Sequence, residues 1–161
     1  MNQIDADTRF FDDVYTGDLV LNKLGEVEFR PSNEQPIREF PLKDNKVKGC
    51  IEIFNMPEKD SNGKVYSNRY IAGIDPVDQD SSETLSLTSC FILDLFTDRI
   101  VAEYTGRQDF ADDNYEIIRL LLMFYNAKGC YENNLKGLFA YFSRMNCTHL
   151  LCDTPEYLRD K

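Results

Sequence analysis

The sequence has no run of about 18 apolar residues, so we expect neither a membrane-spanning segment nor a membrane partner. Its N-terminus, from Met1 to Asp5, is polar and acidic and does not have the pattern of a secretory signal. The chain has no Cys-x-x-Cys pair and only one histidine, His149, which argues against a zinc site. The five cysteines are therefore predicted to be buried, reduced thiols of a cytosolic protein.

Basic residues are also scarce. The chain has 18 Lys and Arg against 28 Asp and Glu, which gives a net charge of −10 and a pI near 4.6. This balance disfavours a protein that grips nucleic acid through bulk charge, but it is compatible with an acidic cluster that holds metal ions. The apolar share of 42%, with 11 Phe and 9 Tyr, is sufficient for one core. The length of 161 residues fits one domain with an extension.

The first part of the chain contains four prolines and short candidate strands at Leu19–Leu24 and Gly49–Phe54. The turn sequence Asp60–Gly63 indicates a boundary. We predict that residues 1–66 form an irregular extension or linker, and that residues 67–161 form the main domain.

The second part is more regular. Arg69–Asp75, Thr84–Asp94 and Ile100–Tyr104 are predicted strands, and the polar turn at 97–99 makes a hairpin of the last two. A helix should follow, capped by Asp113 with Glu116 and carrying an apolar stripe of Tyr115, Ile118, Leu122 and Tyr125. Next come a short strand, Cys130–Glu132, and a second helix capped by Asn133 or Asn134, with Leu135, Leu138, Phe139 and Phe142 on one face. His149–Asp153 is the last predicted strand.

This order predicts an α/β fold, with a mixed sheet flanked by helices in a ribonuclease-H-like arrangement, preceded by the irregular N-terminal extension. Two acids follow strands that can be neighbours in such a sheet, Asp75 and Glu132. Adjacent carboxylates repel each other unless a cation neutralises them, and Mg²⁺ prefers oxygen ligands. The pair is therefore a candidate metal site, and solvated loop acids are the alternative.

Four segments carry a resemblance to a known family: Tyr70–Pro76, Ile100–Arg107, Tyr131-Glu132-Asn133-Asn134 with Gly137, and Leu150–Pro155. In this order and spacing they resemble the nuclease domain of the large terminase subunits of tailed bacteriophages, over roughly residues 49–161. The resemblance implies a ribonuclease-H-like endonuclease that cuts concatemeric viral double-stranded DNA during genome packaging. It also implies two Mg²⁺ or Mn²⁺ ions, with Asp75 and Glu132 as catalytic metal ligands.

The same resemblance implies partners and a place of action. The partners would be a terminase ATPase domain, the portal and the small terminase subunit, in the cytoplasm of a bacterial host. The sequence has no G-x-x-x-x-G-K-[ST] phosphate loop, because Gly63-Lys64 lacks the preceding glycine and is followed by valine. The family's third metal-binding acid lies beyond the strand that matches Leu150–Asp153, so we expect a nuclease domain that lacks its C-terminal part.

Other residues have alternative interpretations. Asp153 ends a strand and is a further candidate metal ligand, although a cap or turn before Pro155 is the competing role. Asp78 and Asp80 could reach a metal or be solvated, and His149 is expected to pack. The bases that could meet DNA phosphates are Arg99, Arg107, Lys128, Lys136 and Arg144. Two other functions stay open: a non-catalytic interaction module, and another ribonuclease-H-like nuclease such as a resolvase or transposase relative.

Overall fold

A computed structural model describes residues 14–39, 42, 47–78, 86–132 and 136–153. This part of the chain contains seven strands: β1 Tyr15–Leu21, β2 Val27–Pro31, β3 Ile51–Ile53, β4 Tyr70–Asp75, β5 Thr88–Asp94, β6 Arg99–Gly106 and β7 Lys128–Tyr131. Two α-helices are described, α1 Ala111–Tyr125 and α2 Gly137–Arg144, and a short 3-10 helix follows at Thr148–Leu150. Neither α-helix has the length and apolar character that a membrane crossing requires.

The seven strands form one sheet in the order β2-β1-β3-β6-β5-β4-β7. All neighbours are antiparallel except β4 and β7, which run parallel. The predicted mixed sheet of an α/β fold is therefore confirmed. The turn between β5 and β6 uses Asp98 with a positive φ of 55°, and its N–H donates to the carbonyl of Asp94 at 2.8 Å.

The prediction of an irregular N-terminal extension is wrong for residues 15–31 and 51–53, because these residues add β1, β2 and β3 to the same sheet. Strand β3 pairs directly with β6, with Ile51 opposite Tyr104 and Ile53 opposite Ala102. Both isoleucines are buried and belong to the hydrophobic core. The sheet consequently continues across the predicted boundary at residues 66 and 67.

Helix α1 packs on one face of the sheet, which we call the inner face. Its predicted stripe is confirmed, since Tyr115, Ile118, Leu122 and Tyr125 are all buried. The predicted capping box at Asp113 is wrong, because the helix begins two residues earlier at Ala111 and has no side-chain cap. Asp113 instead lies in the first turn, where a negative charge interacts favourably with the helix dipole.

Strand β7 runs close beneath α1, and Gly129 makes this approach possible. A Cβ at this position would lie 2.7 Å from the Cδ1 atom of Ile74 and 3.0 Å from that of Leu122. Only glycine fits there without displacement of its neighbours. The absence of a side chain at Gly129 lets β7 pair with β4 directly beneath α1. This pairing places the end of β7 beside the end of β4.

The C-terminal elements follow the prediction only in part. Leu138 and Phe142 of α2 are buried as expected, whereas Phe139 is 49% exposed, and Asn133 to Leu135 lie outside the described residues. The predicted strand His149–Asp153 is reduced to one parallel bridge between Leu151 and Gly129. His149 belongs to the 3-10 helix and is exposed rather than packed.

Candidate functional site

The parallel pairing of β4 and β7 brings two acids to the same edge of the sheet. The last pair in register is Ile74 with Tyr131. Asp75 ends β4 and Glu132 follows β7, so both stand one position beyond that pair. Neighbouring strands lie about 4.8 Å apart, which puts the two backbones side by side at this position. We call Asp75 and Glu132 the carboxylate pair.

The alternation of side chains along a strand assigns both positions of the carboxylate pair to the face of the sheet opposite α1, which we call the outer face. Successive side chains of a strand alternate between faces, and the burial of β4 follows this rule, with Ile74 buried and Asp75 exposed. Glu132 is exposed as well. Gly73 lies two residues before Asp75 on this face, and a Cβ there would meet no atom within 4 Å. A ligand can therefore approach the carboxylates from the outer face.

The two acids suit a hard divalent cation in kind but not in number. Carboxylate oxygens are the ligands that Mg²⁺ and Mn²⁺ favour. The carboxylate of Asp75 makes no hydrogen bond or ion pair with any described residue, so its oxygens are available. In the described ranges, however, no group of three or more His, Cys, Asp or Glu side chains is placed to hold a metal ion. The pair would supply two ligands of a larger set.

Asp153 lies near this edge but in a different register. Leu151 bridges Gly129 in parallel, and the N–H of Cys152 donates to the carbonyl of Gly129 at 2.8 Å. The same register puts Asp153 beside Tyr131 rather than beside Glu132. Side chains alternate along a strand, so this position corresponds to the opposite face from the carboxylate pair.

Asp78 has a positioning role that its sequence does not reveal. Its Oδ1 accepts a hydrogen bond from the hydroxyl of Tyr115 in α1, and its Oδ2 accepts one from the N–H of Gly137 at 3.1 Å. Gly137 is the first residue of α2, so the carboxylate satisfies one of the free N–H groups of that helix. Asp78 thus ties residues 76–78 to both helices, and Asp80 lies outside the described residues.

An open cleft of about 870 Å³ adjoins the end of β7 on the side of α2. Its lining is rich in basic and polar groups: Lys128, Tyr131, Lys136, Phe139, Ala140, Thr148, His149, Leu151, Cys152 and Asp153. The ammonium of Lys128 donates a hydrogen bond to the carbonyl of His149, which keeps it close to the backbone at this edge. Three of the lining side chains, Lys128, Lys136 and His149, could face an anion.

The other predicted DNA-contacting bases lie elsewhere. Arg107 is 9% exposed, and its guanidinium donates to the carbonyl of Ser86 at 3.5 Å. Arg144 forms an exposed salt bridge with Asp112 at 2.8 Å. Arg99 begins β6 at the opposite end of the hairpin from Asp75. Of the five bases named from the sequence, Lys128 and Lys136 are those that line the cleft.

A pair of thiols that the sequence does not predict lies beside the carboxylate pair. The Sγ atoms of Cys130 and Cys152 lie 2.8 Å apart, whereas Cys50, Cys90 and Cys147 are buried. The prediction of burial is wrong for Cys130, which is exposed. Burial, followed by the contact with Cys130, raises the pKa of Cys152 to about 12. No local sequence signal shows that the two thiols meet, because their contact depends on the bridge between Gly129 and Leu151.

Comparisons of the chain with models of protein families, with curated proteins and with solved structures found no match.

Proposed function

We propose that the chain is a metal-dependent endonuclease acting on double-stranded DNA, with the carboxylate pair at its centre. One observation carries the proposal: β4 and β7 are parallel neighbours, and Asp75 and Glu132 follow their last registered pair at the same edge. Side-by-side carboxylates cost free energy through mutual repulsion. A bound cation would offset that cost, and for this reason we assign a metal site to this edge of the sheet.

The order of the strands supports a ribonuclease-H-like architecture for this site. Strands β4, β5 and β6 form an antiparallel meander, and β7 returns parallel to β4 after α1. Leu151 then bridges β7 on its far side. The elements from β4 to Leu151 follow the order from which that architecture is predicted, and β3, β1 and β2 are added beyond β6. The four segments that resemble terminase nucleases include both acids of the pair.

We assign the following roles to residues of the chain. Asp75 and Glu132 would hold Mg²⁺ or Mn²⁺, which supplies an activated water and neutralises charge on the phosphodiester. Asp78, through its hydrogen bonds to Tyr115 of α1 and Gly137 of α2, holds residues 76–78 beside the end of β4. Lys128 and Lys136, which line the cleft beside β7, would attract the phosphates that the acidic remainder of the chain repels.

Mn²⁺ binding and plasmid nicking test the proposal together. We expect Asp75→Asn and Glu132→Gln each to weaken Mn²⁺ binding by about tenfold or more, since each removes a direct ligand. Both variants should also stop conversion of supercoiled plasmid to nicked and linear forms. Binding can be measured by titration calorimetry on the full chain. The matched control is Asp98→Asn, which removes an exposed acid at the opposite end of the β5–β6 hairpin.

The outcomes separate the proposal from its alternatives. Unchanged Mn²⁺ affinity in Asp75→Asn would falsify the assignment of the site. Intact Mn²⁺ binding without any cleavage by the unmodified chain would instead favour a non-catalytic interaction module. Cleavage of branched DNA in strong preference to linear duplex would favour a resolvase or transposase relative.

A further inference from the structure

Two cysteines occupy adjacent positions on parallel backbone segments at the edge of the sheet. Gly129 pairs with Leu151, so Cys130 and Cys152 form the next pair in register and point to the same face. Their Sγ atoms lie 2.8 Å apart, inside the contact distance of two unbonded sulfur atoms and less than 1 Å from a disulfide bond of about 2.05 Å. The usual spacing of neighbouring strands, about 4.8 Å, falls within the Cα separations that disulfides span.

We propose that Cys130 and Cys152 form a redox-active pair that closes to a disulfide through exchange with a small-molecule disulfide. The pair goes beyond the nuclease proposal, because it requires neither a metal nor DNA. Its accessibility supports the assignment. Cys130 is exposed and Cys152 is half-buried, whereas Cys50, Cys90 and Cys147 are buried and lack a second thiol beside them among the described residues.

The exchange takes place in two balanced steps, with glutathione disulfide as the oxidant. The Sγ atom of Cys130, as thiolate, attacks one sulfur of glutathione disulfide, breaks its S–S bond and releases one glutathione. The thiol of Cys152 then loses its proton to water, attacks the Sγ atom of Cys130 and displaces the second glutathione. Two protein thiols are oxidised, and one glutathione disulfide is reduced to two molecules of glutathione.

Closure of the bond would add a covalent link to a segment that pairs with β7 through a single bridge. Residues 151–153 are held to β7 by one bridge and by the hydrogen bond from the N–H of Cys152 to the carbonyl of Gly129. A covalent link at residue 152 would fix the segment at the edge that carries Glu132. Oxidation should therefore slow hydrogen exchange of the Cys152 amide by about tenfold or more.

Peptide mapping of the full chain tests the pair. After incubation with glutathione disulfide and alkylation, we expect one cross-linked peptide that joins residues 130 and 152. The three buried cysteines serve as internal controls and should stay reduced. Cys152→Ser should lose the cross-link and instead carry glutathione on Cys130. The bond should form about tenfold faster or more in the native chain than in denaturant, because the fold holds the sulfur atoms together.

Three results would overturn the inference. The first is a native chain in which residues 130 and 152 remain separate at high ratios of glutathione disulfide to glutathione. The second is cross-linking of other cysteines in equal yield. The third is a rate of cross-linking that denaturant leaves unchanged. Because these measurements need no cation and no DNA, a failure of the nuclease proposal would leave their interpretation intact.

Discussion

The acidic side chains at the two ends of strand β4 have neighbours of opposite charge. At the start of β4, Arg69 lies beside Asp94, the last residue of the antiparallel neighbour β5. At the other end, Asp75 stands beside Glu132, the residue that follows the parallel neighbour β7. One end pairs an acid with a base, and the other places two acids together. The strand directions explain the difference, because the parallel partner brings a second strand end to the same edge.

The paired end is built as a stable structural unit. Arg69 donates to both carboxylate oxygens of Asp94, from Nε at 3.1 Å and from Nη2 at 2.9 Å, and the N–H of Phe96 adds a third bond at 2.9 Å. The rings of Tyr66, Tyr70 and Phe96 surround the guanidinium. Burial opposes ionisation of Asp94, but these donors outweigh it and lower the pKa of the carboxyl.

The largest predicted effect comes from breaking this paired end. Asp94→Asn removes the charge that compensates Arg69 and places an amide donor against a guanidinium. The side chain of Asp94 is only 5% exposed, so water cannot replace the lost partner. We expect a loss of about 3 kcal/mol in the free energy of unfolding, measured by urea denaturation.

The matched control for this variant is again Asp98→Asn, four residues along the chain. Asp98 is exposed and has a positive φ that asparagine tolerates, so its stability should change by less than about 0.5 kcal/mol. Equal, small effects for the two variants would contradict the contrast between the ends of β4.

A second paired acid, Glu116 in α1, shows whether the behaviour of Asp94 is general. Its carboxylate accepts two bonds from Arg119, both at 2.7 Å, and one from the hydroxyl of Tyr141 in α2 at 2.6 Å. The bonds from Arg119, more than any other cause, lower the pKa of Glu116. We expect Glu116→Gln to cost about 1–2 kcal/mol at pH 7, measured by urea denaturation.

This cost should depend on pH with a definite sign. The pKa of Glu116 is lower in the folded chain than its unfolded value of about 4.3, so the folded chain binds its proton less readily. The stabilisation is complete above the unfolded pKa and is lost as the pH falls through the folded pKa. The difference between the unmodified chain and Glu116→Gln should thus shrink below about pH 4. A difference in stability that grows towards low pH would contradict this sign, because it would mean that ionised Glu116 does not stabilise the folded chain.

The sequence predicted most of what depends on local pattern. The stripe of α1 and the β5–β6 hairpin follow from spacing and turn residues, and both are confirmed. The sequence does not predict the features that depend on pairing between distant segments of the chain. Nothing local shows that Ile51 and Ile53 join the edge of β6, or that the thiols of Cys130 and Cys152 meet.

The candidate site shows the same division. A strand that ends in an acid is visible in the sequence, and two such strands predict that Asp75 and Glu132 lie together. The role of Asp78 could not be inferred in the same way. Its partners, Tyr115 and Gly137, are far away in sequence and are brought together only by the packing of α1 and α2.

The smallest predicted effect concerns the end of β4 that carries two acids, and its sign is the informative quantity. Like charges on neighbouring strands destabilise a sheet by a few tenths of a kcal/mol. Asp75→Asn should therefore leave the stability unchanged or raise it by up to about 0.5 kcal/mol in a chelating buffer, as measured by thermal unfolding. Mn²⁺ should reverse the order, since it stabilises the unmodified chain by binding the folded state and leaves the variant almost unaffected. If Asp75→Asn were instead destabilised in the chelator, Asp75 would be structural like Asp94, and the contrast between the two ends of β4 would fail.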